Sequence, residues 1–200
     1  MRKILIILWL FSSVSLGQDL NIYPREYGWD DLRIAGSDFG LGATAPSLRT
    51  FNSGNIQVIG FQGGTANDIA YFEIQVPHDW DGITEFHPHL HVATESDESA
   101  DDTCVFVFEW QYAEIGSVFG SSTKDTLIMV LDGFNAWEHQ IVGLSEIQPT
   151  VSTGVSQMFV CSLQRLQNHP LDNYAGWILV LEFDMHYRKV GFGSKQEYIR

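Results

Sequence analysis

Basic residues are scarce in this sequence. Its 200 residues include 11 lysines and arginines but 25 aspartates and glutamates, which gives a formal net charge of −14 at pH 7. Proteins that bind nucleic acid need a cluster of basic side chains to contact phosphate groups, and the sequence contains no such cluster. The composition therefore excludes nucleic acid as a partner, and the strong acidity favours solubility.

Cysteine is scarcer still, since Cys104 and Cys161 are the only two. They could form one disulfide in an exported protein, or stay as two buried thiols in a reducing compartment, and their spacing does not decide between these states. The sequence also lacks a Gly-x-Ser-x-Gly nucleophile elbow and a glycine-rich phosphate-binding loop. We therefore assign no catalytic residue and no cofactor-binding residue.

Long apolar runs are limited to one segment near the start of the chain. Arg2 and Lys3 precede the run from Ile4 to Phe11, and small residues follow it up to Gly17. A basic end, a short apolar stretch and a small-residue cleavage site are typical of a secretory signal peptide, which we predict over residues 1–17. The run is too short for a stable membrane span. The alternative is a buried N-terminal strand or other apolar segment.

Convincing helical periodicity is absent, and strand-like alternation of apolar and polar residues replaces it. Turn-forming residues separate the alternating segments, a pattern typical of all-β proteins. The sequence predicts one all-β domain, an antiparallel jelly-roll-like β-sandwich over residues 56–200, preceded by an irregular arm with one edge strand over residues 18–55. The strands are predicted over residues 56–61, 70–76, 86–93, 104–112, 126–131, 137–143, 155–163 and 177–187.

Three histidines lie within one short stretch, at His87, His89 and His91. Successive side chains of an extended strand point to opposite faces. The three imidazoles are therefore predicted to share one face, while Pro88 and Leu90 belong to the other.

The segment 177–187 shows the same division. Its predicted apolar face carries Leu179, Leu181, Phe183, Met185 and Tyr187. Residues 70–76 and 104–112 alternate in the same way. If these four strands share one sheet, their outer side chains form a polar face of Glu73, Gln75, His87, His89, His91, Glu109, Gln111, Glu182, Asp184 and His186.

Imidazoles beside carboxylates suit a transition-metal ion. The candidate ligands are His87, His89, His91 and His186. A carboxylate from the same face would complete the site, and the candidate ions are zinc, iron and manganese. The alternative is a polar face that is exposed to solvent or packed against a neighbouring subunit.

One resemblance indicates that the predicted metal site belongs to an enzyme. Gly82, His89, His91 and Glu95 resemble the first motif of the cupin family, which implies an active-site metal held by these histidines and the glutamate. The enzyme hypothesis adds His186 as a further candidate ligand. The gap after Gly82 is one residue longer than in that motif, and the second cupin motif is missing. The resemblance implies a secreted metal-dependent enzyme. A carbohydrate-binding module that uses Trp80, Trp137 and Tyr174 is a further alternative, since aromatic rings stack on sugars.

A more extensive resemblance rests on five short elements that occur in order along the chain. They are Tyr27 to Arg33, Val76 to Trp80 with Phe86 to His91, Phe108 to Trp110, Phe183 to Tyr187, and Gly193 to Tyr198. Together they resemble a family of tailed-phage virion structural proteins, from about residue 23 to residue 200. Lys195 stands where that family commonly has arginine.

This resemblance implies a small structural component of a virion, such as a tail, head-fibre or decoration protein, without catalytic activity. It also implies a homo-oligomer, for which we expect a trimer, and contacts with other virion proteins. The predicted signal peptide points instead to an exported protein in the periplasm or outside the cell. The sequence therefore predicts either a virion protein or an exported protein.

Overall fold

The computed structural model describes residues 27–64, 67–99, 101–149 and 156–191. The predicted signal peptide over residues 1–17 and the element from Gly193 to Tyr198 lie outside the described residues. Within the described ranges, no helix has the length and apolar character needed to cross a membrane.

The described backbone consists of eleven β-strands and one turn of 3-10 helix, Gly36–Asp38. The strands are β1 (Tyr27–Ala35), β2 (Gly40–Leu41), β3 (Ser47–Thr50), β4 (Gln57–Gln62), β5 (Ile69–Gln75), β6 (His87–Thr94), β7 (Thr103–Ala113), β8 (Thr123–Val130), β9 (Gln140–Gly143), β10 (Met158–Arg165) and β11 (Trp177–Val190). The prediction of an all-β domain is therefore confirmed.

Two antiparallel sheets pack face to face. One has the strand order β3-β4-β11-β6-β9, with β1 also paired to β11, and the other has the order β2-β5-β10-β7-β8. Along the chain from β4 to β11, most successive strands switch from one sheet to the other. This interleaving is the double Greek-key arrangement of a jelly roll, which confirms the predicted antiparallel sandwich.

Aromatic rings from both sheets fill the space between them. The ring of Phe183 on β11 lies 4.7 Å from that of Phe72 on β5 and 5.0 Å from that of Phe108 on β7. All three side chains are almost completely buried. Such contacts join the two layers and fix which face of each strand points inward.

The inward face of β11 changes at a β-bulge. The prediction placed Leu179 and Leu181 on the core face with Phe183, but the main core cluster instead contains Ile178 and Val180, and Leu179 is buried outside that cluster. The pairing between β11 and β6 shifts register between Val180 and Glu182. An extra residue in a strand reverses the inside and outside positions before it, so the predicted alternation holds only after the bulge.

The segment predicted as an irregular arm contributes three strands. The longest, β1, pairs with β11 from Tyr27 opposite Val190 to Ala35 opposite Glu182. Its Leu32 pairs within the same ladder and packs against the core. The alternation of apolar and polar residues in β1 is interrupted in the sequence by Gly28, Asp30 and Asp31.

The residues of the predicted polar face lie on two different sheets. The histidine strand β6 and the last strand β11 are direct neighbours, as the prediction requires, but β5 and β7 belong to the opposite sheet. The side chains of Glu73, Gln75, Glu109 and Gln111 therefore do not join the histidines. In a jelly roll β5 and β7 belong to the opposite sheet. The alternation within a single strand does not show which sheet that strand joins.

Candidate functional site

The candidate site is the outer surface of the sheet that contains β1, β11, β6 and β9. Side chains that alternate with buried core residues, such as Leu90 on β6 and Phe183 on β11, point outward there. Five of the seven histidines of the chain meet on it. We call this surface the histidine face, and its polar residues are Asp31, Arg33, His87, His89, His91, His139, Glu182, Asp184 and His186.

Asp184 occupies the centre of the histidine face. Its Oδ2 lies 3.6 Å from Nε2 of His89 and 3.7 Å from Nε2 of His91. Asp184 and His89 are only 3% and 6% exposed, although both lie on the outer side of the sheet. Burial raises the pKa of the Asp184 carboxyl, and the negative charge of Asp31 raises it further. This environment disfavours an ionised carboxylate unless a positive charge lies next to it.

The imidazoles form a connected chain. Nε2 of His89 lies 3.1 Å from Nε2 of His91, and Nδ1 of His91 lies 2.7 Å from Nε2 of His139. Nδ1 of His89 lies 3.3 Å from the carbonyl oxygen of His87. Burial lowers the pKa of His91, and His89 and His139 lower it further. The uncharged imidazole of His91 is therefore favoured.

One ion pair and one contact between an imidazole and a carboxylate border this centre. The Arg33 guanidinium donates two hydrogen bonds to Glu182, at 2.5 and 2.8 Å, and these bonds hold the pKa of Glu182 below its ordinary value. Nε2 of His186 lies 3.1 Å from Oδ1 of Asp31. Arg33 and Asp31 both come from β1, so the segment predicted as an arm supplies part of the site.

Two sets of three side chains could each hold a metal ion. The first set is His89, Asp184 and His186, and the second is His91, Glu182 and Asp184. Within each set, one potential ligand atom per residue lies within 4.8 Å of the others. Imidazole and carboxylate ligands of this kind suit zinc, iron or manganese.

The structure brings together most of the predicted ligands. His89, His91 and His186 lie around Asp184, whereas His87 lies at the edge, with Nδ1 3.3 Å from a carboxylate oxygen of Glu146. His87 belongs to neither three-residue set. The exposed ring of Trp29 contacts His87 edge-on, with the ring centroids 5.0 Å apart.

The cupin-like ligand set is not assembled. The carboxylate of Glu95 accepts two hydrogen bonds from Arg49, both of 2.9 Å, and takes part in neither three-residue set. The imidazoles also point away from the space between the two sheets. Two of the three aromatic residues predicted to bind carbohydrate, Trp80 and Tyr174, are buried, so their rings are not available to stack on a sugar.

Sequence reasoning missed His139, Asp31 and Arg33. His139 directly precedes the short strand β9, which pairs with β6 and so carries this histidine to His91. The two β1 residues reach the site only because β1 pairs with β11. No local pattern reveals these pairings, since they depend on the order of strands in the sheet.

Both cysteines are free and buried, so the potential disulfide is not formed. They lie on neighbouring strands, where Cys161 is opposite Trp110 rather than Cys104. Burial raises the pKa of the Cys104 thiol to about 12. A buried thiol with a raised pKa is a poor nucleophile.

Comparison with known proteins yields no relative: no protein-family model matches the chain, and no curated protein matches it. The resemblance to virion proteins therefore rests on the short motifs themselves. Three of these motifs fall on β1, β6 and β11, which are adjacent strands of one sheet. Their polar side chains converge on the histidine face.

Proposed function

We propose that this protein is a non-enzymatic structural component of a phage-like virion, a tail, head-fibre or decoration protein that acts as a homo-oligomer. One observation carries the proposal. The motifs at 29–33, 86–91 and 183–187 are far apart in sequence, yet they supply one continuous surface, the histidine face. Jelly rolls are common in virus capsids, and this fold-level analogy adds support without defining the function.

The shape and composition of the histidine face suit contact with a second copy of the chain. It is the face of a sheet, and Arg33 forms an ion pair with Glu182 there. Trp29 and Ile141, which flank its polar centre, are 58% and 61% exposed. Exposed apolar side chains beside a polar surface are typical of protein interfaces. We propose that these two residues contact a neighbouring subunit of a trimer.

Particle composition tests the virion assignment. Particles purified on a density gradient from a lysate of the producing host are analysed by quantitative mass spectrometry. We expect the chain in the particle band, at a fixed ratio to the other virion proteins and resistant to a high-salt wash. A soluble host protein of similar size serves as the control for contamination. Recovery of the chain only from the particle-free fraction would contradict the proposal.

A secreted metal-dependent enzyme is the second candidate, and one observation favours it. His89, His91 and the nearly buried Asp184 form a compact group beside the half-exposed His186, so a bound ion there would be reached from solvent. The same fractionation distinguishes the two candidates. A secreted enzyme would appear in particle-free medium, with a mass reduced by removal of the N-terminal segment.

A further inference from the structure

The carboxylate of Asp184 is the least satisfied polar group of the histidine face. Among the residues that the structure describes, its buried Oδ1 has no hydrogen-bond partner. Its Oδ2 faces His89 and His91 at 3.6 and 3.7 Å, which is beyond hydrogen-bond distance. A buried carboxylate without donors is costly. A cation bound between these side chains would remove that cost.

The spacing of the three groups matches the ligand shell of a small metal ion. Nε2 of His89 and Nε2 of His91 are 3.1 Å apart, and each lies 3.6 to 3.7 Å from Oδ2 of Asp184. Ligand atoms about 2.0–2.2 Å from a zinc ion lie about 3.3–3.6 Å from one another. The three observed separations therefore lie close to this range, one slightly below it and one slightly above it.

We propose that the histidine face binds one Zn²⁺ ion per chain through His89, His91 and Asp184, with His186 as the fourth protein ligand. One potential ligand atom of His186 lies within 4.8 Å of those of His89 and Asp184. The side chain of His186 is 47% exposed, so an ion can enter from solvent on that side. This inference goes beyond the proposed virion function and does not depend on it.

The outer nitrogens of both imidazoles are held in the manner that a metal site requires. Metal-binding histidines donate their second ring N–H to a carbonyl, a carboxylate or another acceptor. Nδ1 of His89 faces the carbonyl oxygen of His87, and Nδ1 of His91 faces Nε2 of His139. When both Nδ1 atoms carry the hydrogen, both Nε2 lone pairs are free for the ion. His139 is thus a positioning residue for His91.

The ligand chemistry selects zinc over the hard cations. Calcium and magnesium are bound mainly by oxygen atoms, whereas the proposed ligands are three imidazoles and one carboxylate. Imidazole-rich sites also bind zinc more tightly than manganese or ferrous iron. The second carboxylate, that of Glu182, is held by Arg33 and lies outside the proposed set.

Metal titration tests this proposal. The full chain is purified without a histidine tag, stripped with a chelator and titrated with Zn²⁺ in a calorimeter, and the bound metal is counted by elemental analysis. We expect one zinc ion per chain and a higher melting temperature in the presence of zinc. The same concentration of Ca²⁺ or Mg²⁺ should leave the melting temperature unchanged.

Substitutions separate the site from adventitious binding. Asp184→Asn and His89→Gln should each lose more than the roughly 10–100-fold in zinc affinity that removal of an outer partner costs, and His139→Ala should fall within that 10–100-fold range. His169→Gln, which changes a histidine in the loop after β10, is the matched control and should bind as the unchanged chain does. In chelator, Asp184→Asn should melt no lower than the unchanged chain, because it removes an uncompensated buried charge.

Three results would overturn the proposal. The first is an absence of zinc binding by the stripped chain. The second is zinc binding by Asp184→Asn and His89→Gln that equals that of the unchanged chain. The third is an equal loss in the His169→Gln control, which would show that scattered surface histidines hold the metal. Failure of the virion proposal is measured separately, by particle composition, and has no bearing on these outcomes.

Discussion

Asp184 on β11 and His89 on β6 are direct partners across two adjacent strands, and both are buried although they point away from the core. The outer face of a sandwich is normally where polar side chains meet water. Here a carboxylate and an imidazole are instead withdrawn from water by the residues around them. Arg33, the β1 residue opposite Asp184, is one of these neighbours. The burial of these two polar side chains is the observation that supports the proposed zinc site.

The buried ion pair of Arg165 and Asp172 is predicted to contribute strongly to stability. Arg165 donates two hydrogen bonds to Asp172, at 2.9 and 3.0 Å, and further hydrogen bonds to the carbonyl oxygens of Phe61, Tyr174 and Gly176. Both side chains are almost inaccessible to water. Asp172→Ala should therefore lower the free energy of unfolding by about 3–5 kcal/mol, as measured by urea denaturation.

The exposed pair of Arg33 and Glu182 is the matched control for that experiment. It has the same two-bond geometry, but the Arg33 side chain is 65% exposed. Arg33→Gln should lower the free energy of unfolding by less than Asp172→Ala does, because water screens the exposed guanidinium even though the Glu182 side chain is only 16% exposed. Equal effects of Asp172→Ala and Arg33→Gln would contradict the role given to burial.

The two cysteines are predicted to be free and unreactive in the native protein. Burial raises the pKa values of both thiols, that of Cys104 to about 12. A thiol reagent at pH 8 should therefore modify neither residue in the folded protein within the time that a small model thiol needs. Both should react after denaturation without reductant, as counted by mass spectrometry. A denatured, unreduced chain that reacts at neither cysteine would reveal a disulfide and contradict the structure.

The turn after β5 is predicted to make the free energy of unfolding depend on pH in the acidic range. Burial raises the pKa of Asp81, but hydrogen bonds from Thr84 and Ile83 outweigh burial, so this pKa lies below its ordinary value near 3.8. A lowered pKa in the folded state contributes stability above the ordinary value and loses it as the pH falls through the folded value. Asp81→Asn should cost about 1–2 kcal/mol at neutral pH.

The pH dependence of that difference is the measurement. Urea denaturation of the unchanged chain and of Asp81→Asn should give free energies of unfolding that converge as the pH falls below about 4. Asp132→Asn, at an exposed turn position, is the control and should stay close to the unchanged chain at every pH. A gap between Asp81→Asn and the unchanged chain that persists at low pH would show that the carboxylate charge is not its cause.

The fold class and much of the core could be predicted from the sequence, because alternation reports directly on burial within one strand. Phe72 and Phe108 lie in the core as their strands predicted. Leu181 was misplaced because a β-bulge leaves no mark in the apolar pattern. The strand β1 was missed because Asp30 and Asp31 interrupt its alternation, although its ladder with β11 is long.

The candidate site was only half predictable. The spacing of His89 and His91 placed them on one face, and the same rule placed Asp184 and His186 together. The sequence of neither strand shows that β6 and β11 are neighbours, or that β9 brings His139 beside His91. Those relationships follow from sheet topology, which arises from packing of the whole chain rather than from local pattern.

Sedimentation equilibrium at micromolar concentration tests directly whether the protein assembles through its histidine face. We expect the mass of a trimer for the unchanged chain, and of a monomer after Trp29→Arg or Ile141→Arg, since each substitution puts a charge on an exposed apolar position of that face. Val160→Arg, on the opposite sheet and also exposed, should remain trimeric. A monomeric unchanged chain, or a trimer broken only by Val160→Arg, would contradict the claim.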